Sequence, residues 1–303
     1  QRSPTIRAFW QSLSPNGRGA IFIMVGSFFL AAQGAGIKSL AEQLTIWQIV
    51  FLRFALIGLI ILPFALRKGA IRTRRPWAHI GRGVVGLIGF TSMVYAISHA
   101  PLATVTSIAF TRVIFTVILA ILIFKETVGW RRWSAVIIGF LGVLVMIRPG
   151  AAPVDLALLG ALLNAVAIAG VIVFLKIMSR TEQPETLVLY FSLFGSVVML
   201  VPAIAVWRWP DAWGWGLVLF IAAAGALAQS CNVRGWAIGE ASAMAPLGYF
   251  QLVFAGLFGF FLFYEVPDIY TYAGAAIIVA STLYISIREA RLRGAAAKAP
   301  APE

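Results

Sequence analysis

Residues 186–206 read TLVLYFSLFGSVVMLVPAIAV, an unbroken apolar stretch without one acidic or basic side chain. Roughly 20 such residues, rising about 1.5 Å each as a helix, cross the ~30 Å hydrocarbon core of a bilayer. Working outward from this stretch, nine further runs of the same kind lie near 19–37, 45–66, 80–98, 102–124, 133–147, 156–176, 214–235, 241–263 and 270–287. Arg67-Lys68-Gly69, Arg148-Pro149-Gly150 and Trp209-Pro210-Asp211 punctuate them with charge and turn chemistry. The fifth run is short, and only Lys125 to Arg132 separates it from the fourth. The whole chain agrees: 61% of residues are hydrophobic and 12% charged, with mean hydropathy +0.92. A soluble domain carries about twice that charge, and a disordered chain needs low hydrophobicity. The single cysteine, Cys231, excludes an internal disulfide framework or a multi-cysteine zinc site. The expected fold is an all-α membrane protein of ten transmembrane helices.

The net charge of +13 raises nucleic-acid binding, and its distribution answers it. With the N-terminus cytoplasmic, the inward gaps, both tails and adjoining span ends hold eighteen Lys and Arg residues, among them Arg72, Arg74, Arg75, Arg131 and Arg132. The outward gaps hold Lys38, Arg148 and Arg208. That asymmetry is the positive-inside signature of a multi-pass inner-membrane protein with both termini cytoplasmic. The excess charge then needs no acidic partner. The first span, lacking an A-x-A cleavage site, reads as a retained helix, and residues 291–303 as a disordered cytoplasmic tail.

Ten spans divide into two sets of five, residues 1–150 and 151–290, and an odd number per set makes the halves face opposite ways. Inverted repeats of this kind hold a binding site between them near the bilayer midplane. A shift of 139 residues places Gly86 on Gly225, Phe115 on Phe254, Phe124 on Phe263 and Glu126 on Glu265, and a shift of 138 places Lys38 on Lys176. Gly239-Glu240-Ala241-Ser242-Ala243-Met244-Ala245-Pro246, with the apolar run to Phe263-Tyr264-Glu265, resembles the EamA-type repeat of the drug/metabolite transporter superfamily. The first half repeats the theme as Ala100-Pro101-Leu102-Ala103-Thr104 running to Phe124-Lys125-Glu126. The resemblance spans roughly residues 20–288 and implies a ten-helix carrier of amino acids, other metabolites or drugs, often outward. The small multidrug branch of that superfamily uses a first-helix glutamate, where this chain has Gln33; coupling to protons by that route is not expected.

Ionisable groups within a span are costly and mark function. Arg112 lies near the middle of the fourth span, about 15 Å of helix rise from its start, and Gln251 is its counterpart by the 139 shift. None of the eleven acids is near the centre of a span, so this permanently charged guanidinium is expected to meet a substrate carboxylate, the alternative being a structural arginine satisfied by backbone carbonyls and water at a helix break. Arg53, eight residues into the second span, divides equally between a functional and a snorkelling role; Arg234 reads as an interfacial anchor. Neutral polar groups at similar depth complete the candidate substrate site: Gln33, Tyr95, Asn164, Gln229, Asn232, Trp236 and Tyr249, with Thr91, Thr104, Ser107 and Thr111 on neighbouring helix faces. Each taken singly is more often interhelical glue. Gly81, Gly83, Gly86 and Gly89 in the third helix, and Gly256 and Gly259 in the ninth, suit close helix approach. Gly81-Arg82-Gly83-Val84-Val85-Gly86 matches a dinucleotide fingerprint, but no strand precedes it. Pro246 reads as an entry kink, and Glu126 and Glu265 as interfacial ends.

An enzyme would need a nucleophile with a base, a metal cluster or paired carboxylates. The two histidines, His79 and His99, fall in separate gaps and read as solvated, not catalytic, and neither a zinc-protease nor a P-loop motif occurs. No metal and no cofactor is expected; the expected partners are a small-molecule substrate and the bilayer, not nucleic acid, and the sequence is compatible with a monomer without choosing an oligomeric state. The reading is a secondary transporter of small metabolites, amino acids first and in the direction of export, by alternating access. Uptake of a nucleoside-like or vitamin-like metabolite is the alternative, and a channel or receptor the more distant one.

Overall fold

The computed structural model describes residues 13, 15–69, 71–124, 130–147, 155–178, 181–238, 247–248 and 250–298. Its elements are α1 (Pro15–Leu40), α2 (Ile46–Arg67), α3 (Pro76–His99), α4 (Leu102–Ala109), α5 (Arg112–Phe124), α6 (Trp130–Ile147), α7 (Leu156–Met178), α8 (Pro184–Ala205), α9 (Ala212–Ile238), α10 (Phe250–Phe263) and α11 (Ile269–Lys298). The fourth expected span is broken into α4 and α5, so the eleven helices form the ten spans. Five helical stretches, within α1, α2, α3, α7 and α8, are individually long and apolar enough to cross a membrane. Shorter apolar stretches lie in α4–α5, α9, α10 and α11. No strand occurs among the described residues.

Helix starts follow local chemistry. Pro76 and Pro184 open α3 and α8, where the missing N–H costs nothing and the fixed φ suits the first turn. At the start of α2, Gln48 Oε1 accepts from the Thr45 N–H (3.4 Å) and hydroxyl (3.1 Å). Gln48 Nε2 donates to the Arg208 carbonyl at 2.8 Å, tying this end of α2 to the loop between α8 and α9. Pro63 within α2 and Pro202 within α8 are 139 residues apart, a repeat signal that glycine and glutamate matches alone had not exploited. The last helix continues to Lys298 through residues expected as tail from 291. The run Ala295-Ala296-Ala297 has the highest intrinsic helix propensity, which supports that extension.

The extensive helix pairings all join one half to the other: α1 with α9 and α10, α2 with α8 and α9, α3 with α7 and α8, α4 with α7 and α10, α5 with α7, and α6 with α11. Exchanging each span with the one five places later maps this set onto itself: α1–α9 becomes α3–α7, α1–α10 becomes α4/α5–α7, and α2–α9 becomes α3–α8. The remaining pairings, α2–α8, α4–α10 and α6–α11, map onto themselves. That is the packing of an inverted repeat whose halves interlock.

In lipid, helix association rests on close packing more than on the hydrophobic effect. A Cβ built at Gly89 would lie 2.7 Å from the Ala167 Cβ, at Gly86 2.6 Å from Phe191, at Gly83 2.6 Å from Phe194, and at Gly195 2.6 Å from Phe54. The third-helix glycines therefore serve the close approach expected of them. Among the described residues nothing lies within 4 Å of a Cβ built at Gly256, so the close approach expected there is not made to any of them. Every residue of α4 is buried, placing this short helix inside the bundle against α7, α10 and α11.

Candidate transport site

The break between α4 and α5 positions Arg112. The Phe110 N–H donates to both Thr106 O and Ser107 O, and the Thr111 N–H donates to Ile108 O at 2.9 Å. The ladder thus tightens for a turn, and Arg112 opens α5 with its guanidinium carbon 4.9 Å from the Phe110 ring, within cation–π range. Arg112 is half-buried and engaged in further interactions. The neighbouring hydroxyls serve the helix: Ser107 Oγ donates to Ala103 O (2.8 Å), Thr111 Oγ1 to Ile108 O (2.6 Å) and Thr116 Oγ1 to Arg112 O (2.7 Å). Thr104 and Thr271 hydroxyls lie 3.5 Å apart. These groups stitch α4 to itself and to α11.

Two of the expected site amides bind backbone across helix crossings. Gln33 Nε2 donates to Ile221 O at 2.9 Å, joining α1 to α9, and Asn164 Nδ2 donates to Gly89 O at 2.8 Å, joining α7 to α3. Both are buried. Asn232 Oδ1 is pressed against Gly26, where a Cβ would stand 2.7 Å away. The donor ends of Gln33 and Asn164 are therefore structural, whatever their oxygens meet. Tyr95 stacks on His99 with ring centroids 4.4 Å apart. Gln251 is half-buried in the first turn of α10. Tyr249 lies outside the described residues, as do Glu126, Pro246 and the side chains of Gln229, Trp236 and Lys176.

Three charged groupings went unread in the sequence. At one face of the bundle Glu265 forms an ion pair with Lys38 and accepts from the Leu102 N–H at 2.8 Å, while Lys38 also donates to Ala100 O at 2.7 Å. Glu265, expected as a simple interfacial end, therefore joins α10 to α1 and to the α3–α4 junction. Tyr264, just before it, has φ 55, and the Glu265 N–H reaches back to Gly259 O at 3.0 Å. With the Tyr264 N–H on Phe260 O at 3.1 Å, this is an αL C-terminal closure with tyrosine where glycine is usual. At the opposite face buried Glu182 accepts from Thr73 Oγ1 and the Arg74 N–H, both 2.9 Å, and lies 3.9 Å from His79. His79, expected to be solvated, is instead buried against Tyr190. Within the bundle, Arg53 lies on the Phe90 ring at 3.9 Å. Sequence spacing along single helices could show none of these, because each joins elements far apart in the chain.

Two apolar grooves of about 350 and 400 Å³ run along the α3–α8 seam, lined by Ile80, Tyr190 and Val197 in one and Trp47, Thr91 and Met199 in the other, with Phe194 shared. Their lining suits acyl chains more than a polar solute. Of the candidate residues only Thr91 borders them, its hydroxyl without a hydrogen-bond partner among the described residues.

The comparisons agree with this architecture. The model of the EamA-like transporter family matches twice, at residues 17–148 and 155–287. The S-adenosylmethionine uptake transporter of Rickettsia prowazekii is 31% identical over 254 residues, covering 83% of this chain and 86% of that protein. The riboflavin transporter of Brucella anthropi is 28% identical over 84% of this chain and 92% of its own length. The pseudopaline exporter CntI of Pseudomonas aeruginosa is 26% identical over 88% and 95%. A solved crystal structure superposes with TM-score 0.61 at 18% identity, covering 90% of this chain and 97% of its own, and supports the fold alone. Two interlocked, oppositely mounted five-helix repeats, each matching the same family model, make this chain a member of the EamA-like transporter family, a multi-pass membrane protein that transports a small molecule and is not an enzyme.

Proposed function

We propose that the chain is an inner-membrane secondary carrier for small metabolites bearing an amino-acid carboxylate, with S-adenosylmethionine the first compound to test, moved by alternating access. The observation that carries this reading is the helix pairing that maps onto itself when the halves are exchanged. An assembly with that property has two arrangements of similar construction, one for each side of the membrane. S-adenosylmethionine is an amino acid joined to a nucleoside, which brings the amino-acid and nucleoside-like readings of the sequence together. The Rickettsia relative is named for its uptake. Guanidinium groups at Arg53 and Arg112, each beside an aromatic ring, are donors suited to a carboxylate. The charge asymmetry of the loops supports cytoplasmic termini.

No carboxylate stands near the centre of any span, so transport runs down the substrate gradient. For any one substrate the direction is then set by the side on which it is more concentrated. Counterflow into proteoliposomes holding the purified chain tests the proposal: labelled S-adenosylmethionine accumulates against unlabelled internal compound, and an imposed pH gradient alone drives none. Exchange of riboflavin without exchange of any carboxylated compound overturns it in favour of the vitamin-type reading, which the Brucella relative motivates.

A further inference from the structure

We infer that Arg53 is the specificity-determining residue that reads the substrate carboxylate, with Phe90 as its backing surface; this rests on the carboxylate-bearing substrate proposed above. The first support is depth. Arg53 is seven residues from Ile46 at the start of α2, about 10 Å of rise, and Phe90 is nine residues from His99 at the end of α3, about 13 Å. These helix ends share one face of the membrane. A snorkelling arginine would extend toward that face, the direction in which side chains of α2 already lean. Its guanidinium carbon is instead 3.9 Å from the Phe90 centroid and 5.4 Å from that of Phe54. The charge is held at least as deep as its own backbone.

The second support is its unspent hydrogen bonding. Arg53 Nε is enclosed without a partner, although the residue as a whole keeps part of its surface. Among the described residues the guanidinium makes no hydrogen bond and no ion pair. On the same face Glu265 is engaged by Lys38 and the Leu102 N–H, Asp211 by Gln43 and the Gly214 N–H, Asp155 by the Ala157 N–H and Asp268 by the Thr271 N–H, while Glu42 is exposed. Arg82 shows what a structural arginine looks like in this bundle. It too lies on a phenylalanine, Phe191 at 4.7 Å, but its Nη1 donates to Leu187 O at 2.7 Å. Arg53 has the ring and lacks the acceptor. A guanidinium held over an aromatic face keeps its forked N–H edge for a planar bidentate acceptor. A lone buried donor set without such an acceptor is costly, and a carboxylate arriving with the substrate supplies it.

The test uses the full chain in proteoliposomes and two probes, S-adenosylmethionine and its decarboxylated analogue, which keeps the sulfonium, amine and nucleoside. Arg53→Gln is expected to raise KM for S-adenosylmethionine about tenfold or more, the loss of a charge-assisted hydrogen bond, with Vmax and the KM of the analogue unchanged. Arg53→Lys keeps the charge, so a smaller rise and a residual preference for the carboxylated probe are expected. It decides the matter should the glutamine variant not yield monodisperse protein: a probe preference identical to that of the parent overturns the inference. Equal losses for both probes, or no change for either, overturn the Arg53 assignment while the carrier reading stands. A parent chain that exchanges the analogue but no carboxylated compound overturns the substrate reading and the assignment together.

Discussion

Replacing Glu265 with glutamine removes one charge from the Lys38–Glu265 pair and keeps an oxygen to accept from the Leu102 N–H. The side chains of Lys38 and Glu265 are only 16% and 13% exposed, so the pair falls under the rules for buried ions. Removing one partner of such a pair costs about 3–5 kcal/mol, because the other charge remains where water cannot reach it. The residual exposure and the Ala100 carbonyl, which still accepts from Lys38 at 2.7 Å, reduce this to roughly 2–3 kcal/mol. At about 1.4 kcal/mol per tenfold, the arrangement in which this end is knotted loses roughly 30- to 140-fold in population relative to one in which it is open. Thr104 is buried, two residues beyond Leu102 on α4. In a Cys231→Ala background, a Thr104→Cys reporter labelled by a membrane-impermeant maleimide should react at least about tenfold faster when Glu265 is glutamine. Lys38→Met should do the same, and the double variant should be no faster than either single, as expected of groups acting as a pair. Labelling at the parental rate in both singles, or additive effects in the double, would refute the reasoning that this pair holds the end of the bundle closed.

Other consequences reach different parts of the bundle. Tyr264 is 88% exposed and sits at φ 55, so Tyr264→Gly relieves a left-handed non-glycine residue at little cost in packing; a gain of about 1 kcal/mol in stability is expected by thermal unfolding in detergent. Gly89→Ala brings a Cβ within 2.7 Å of the Ala167 Cβ, a neighbour fixed to the backbone of α7, and should lower stability by about 1–3 kcal/mol; an unchanged melting temperature would show that the α3–α7 crossing is looser than described. Gln33→Leu and Asn164→Leu each remove one interhelical hydrogen bond and should cost roughly 0.6–2 kcal/mol of stability. Neither should move the substrate KM, and a tenfold rise in either would return that amide to the binding surface.

How much of this was legible in the sequence follows from which quantities are local. A bilayer selects helices by length and apolarity, both of which are sums over neighbouring residues. Ten runs, their interruptions and the Lys/Arg asymmetry therefore suffice for the span count and the inverted duplication. Arg53 and Arg112 stand out for the same reason, as isolated charges in otherwise apolar runs. The roles of the polar groups between them were not legible, since an amide or hydroxyl in a helix reads alike whether it meets a substrate or a carbonyl. Gln33 and Asn164 carry the polarity expected of a binding surface, and only the crossings with α9 and α7 reveal their donors spent on Ile221 and Gly89. Lys38 and Glu265 are 227 positions apart along the chain, and no periodicity relates them. Arg53 could be distinguished from a snorkelling anchor only once the ring beneath it was known to be Phe90. Local segments were enough to read how many helices there are and that the two halves repeat, because those follow from transfer of single segments between water and lipid. Tertiary structure alone decided which charges are paired and which are kept waiting, because pairing depends on distances between segments that the chain brings together only by folding.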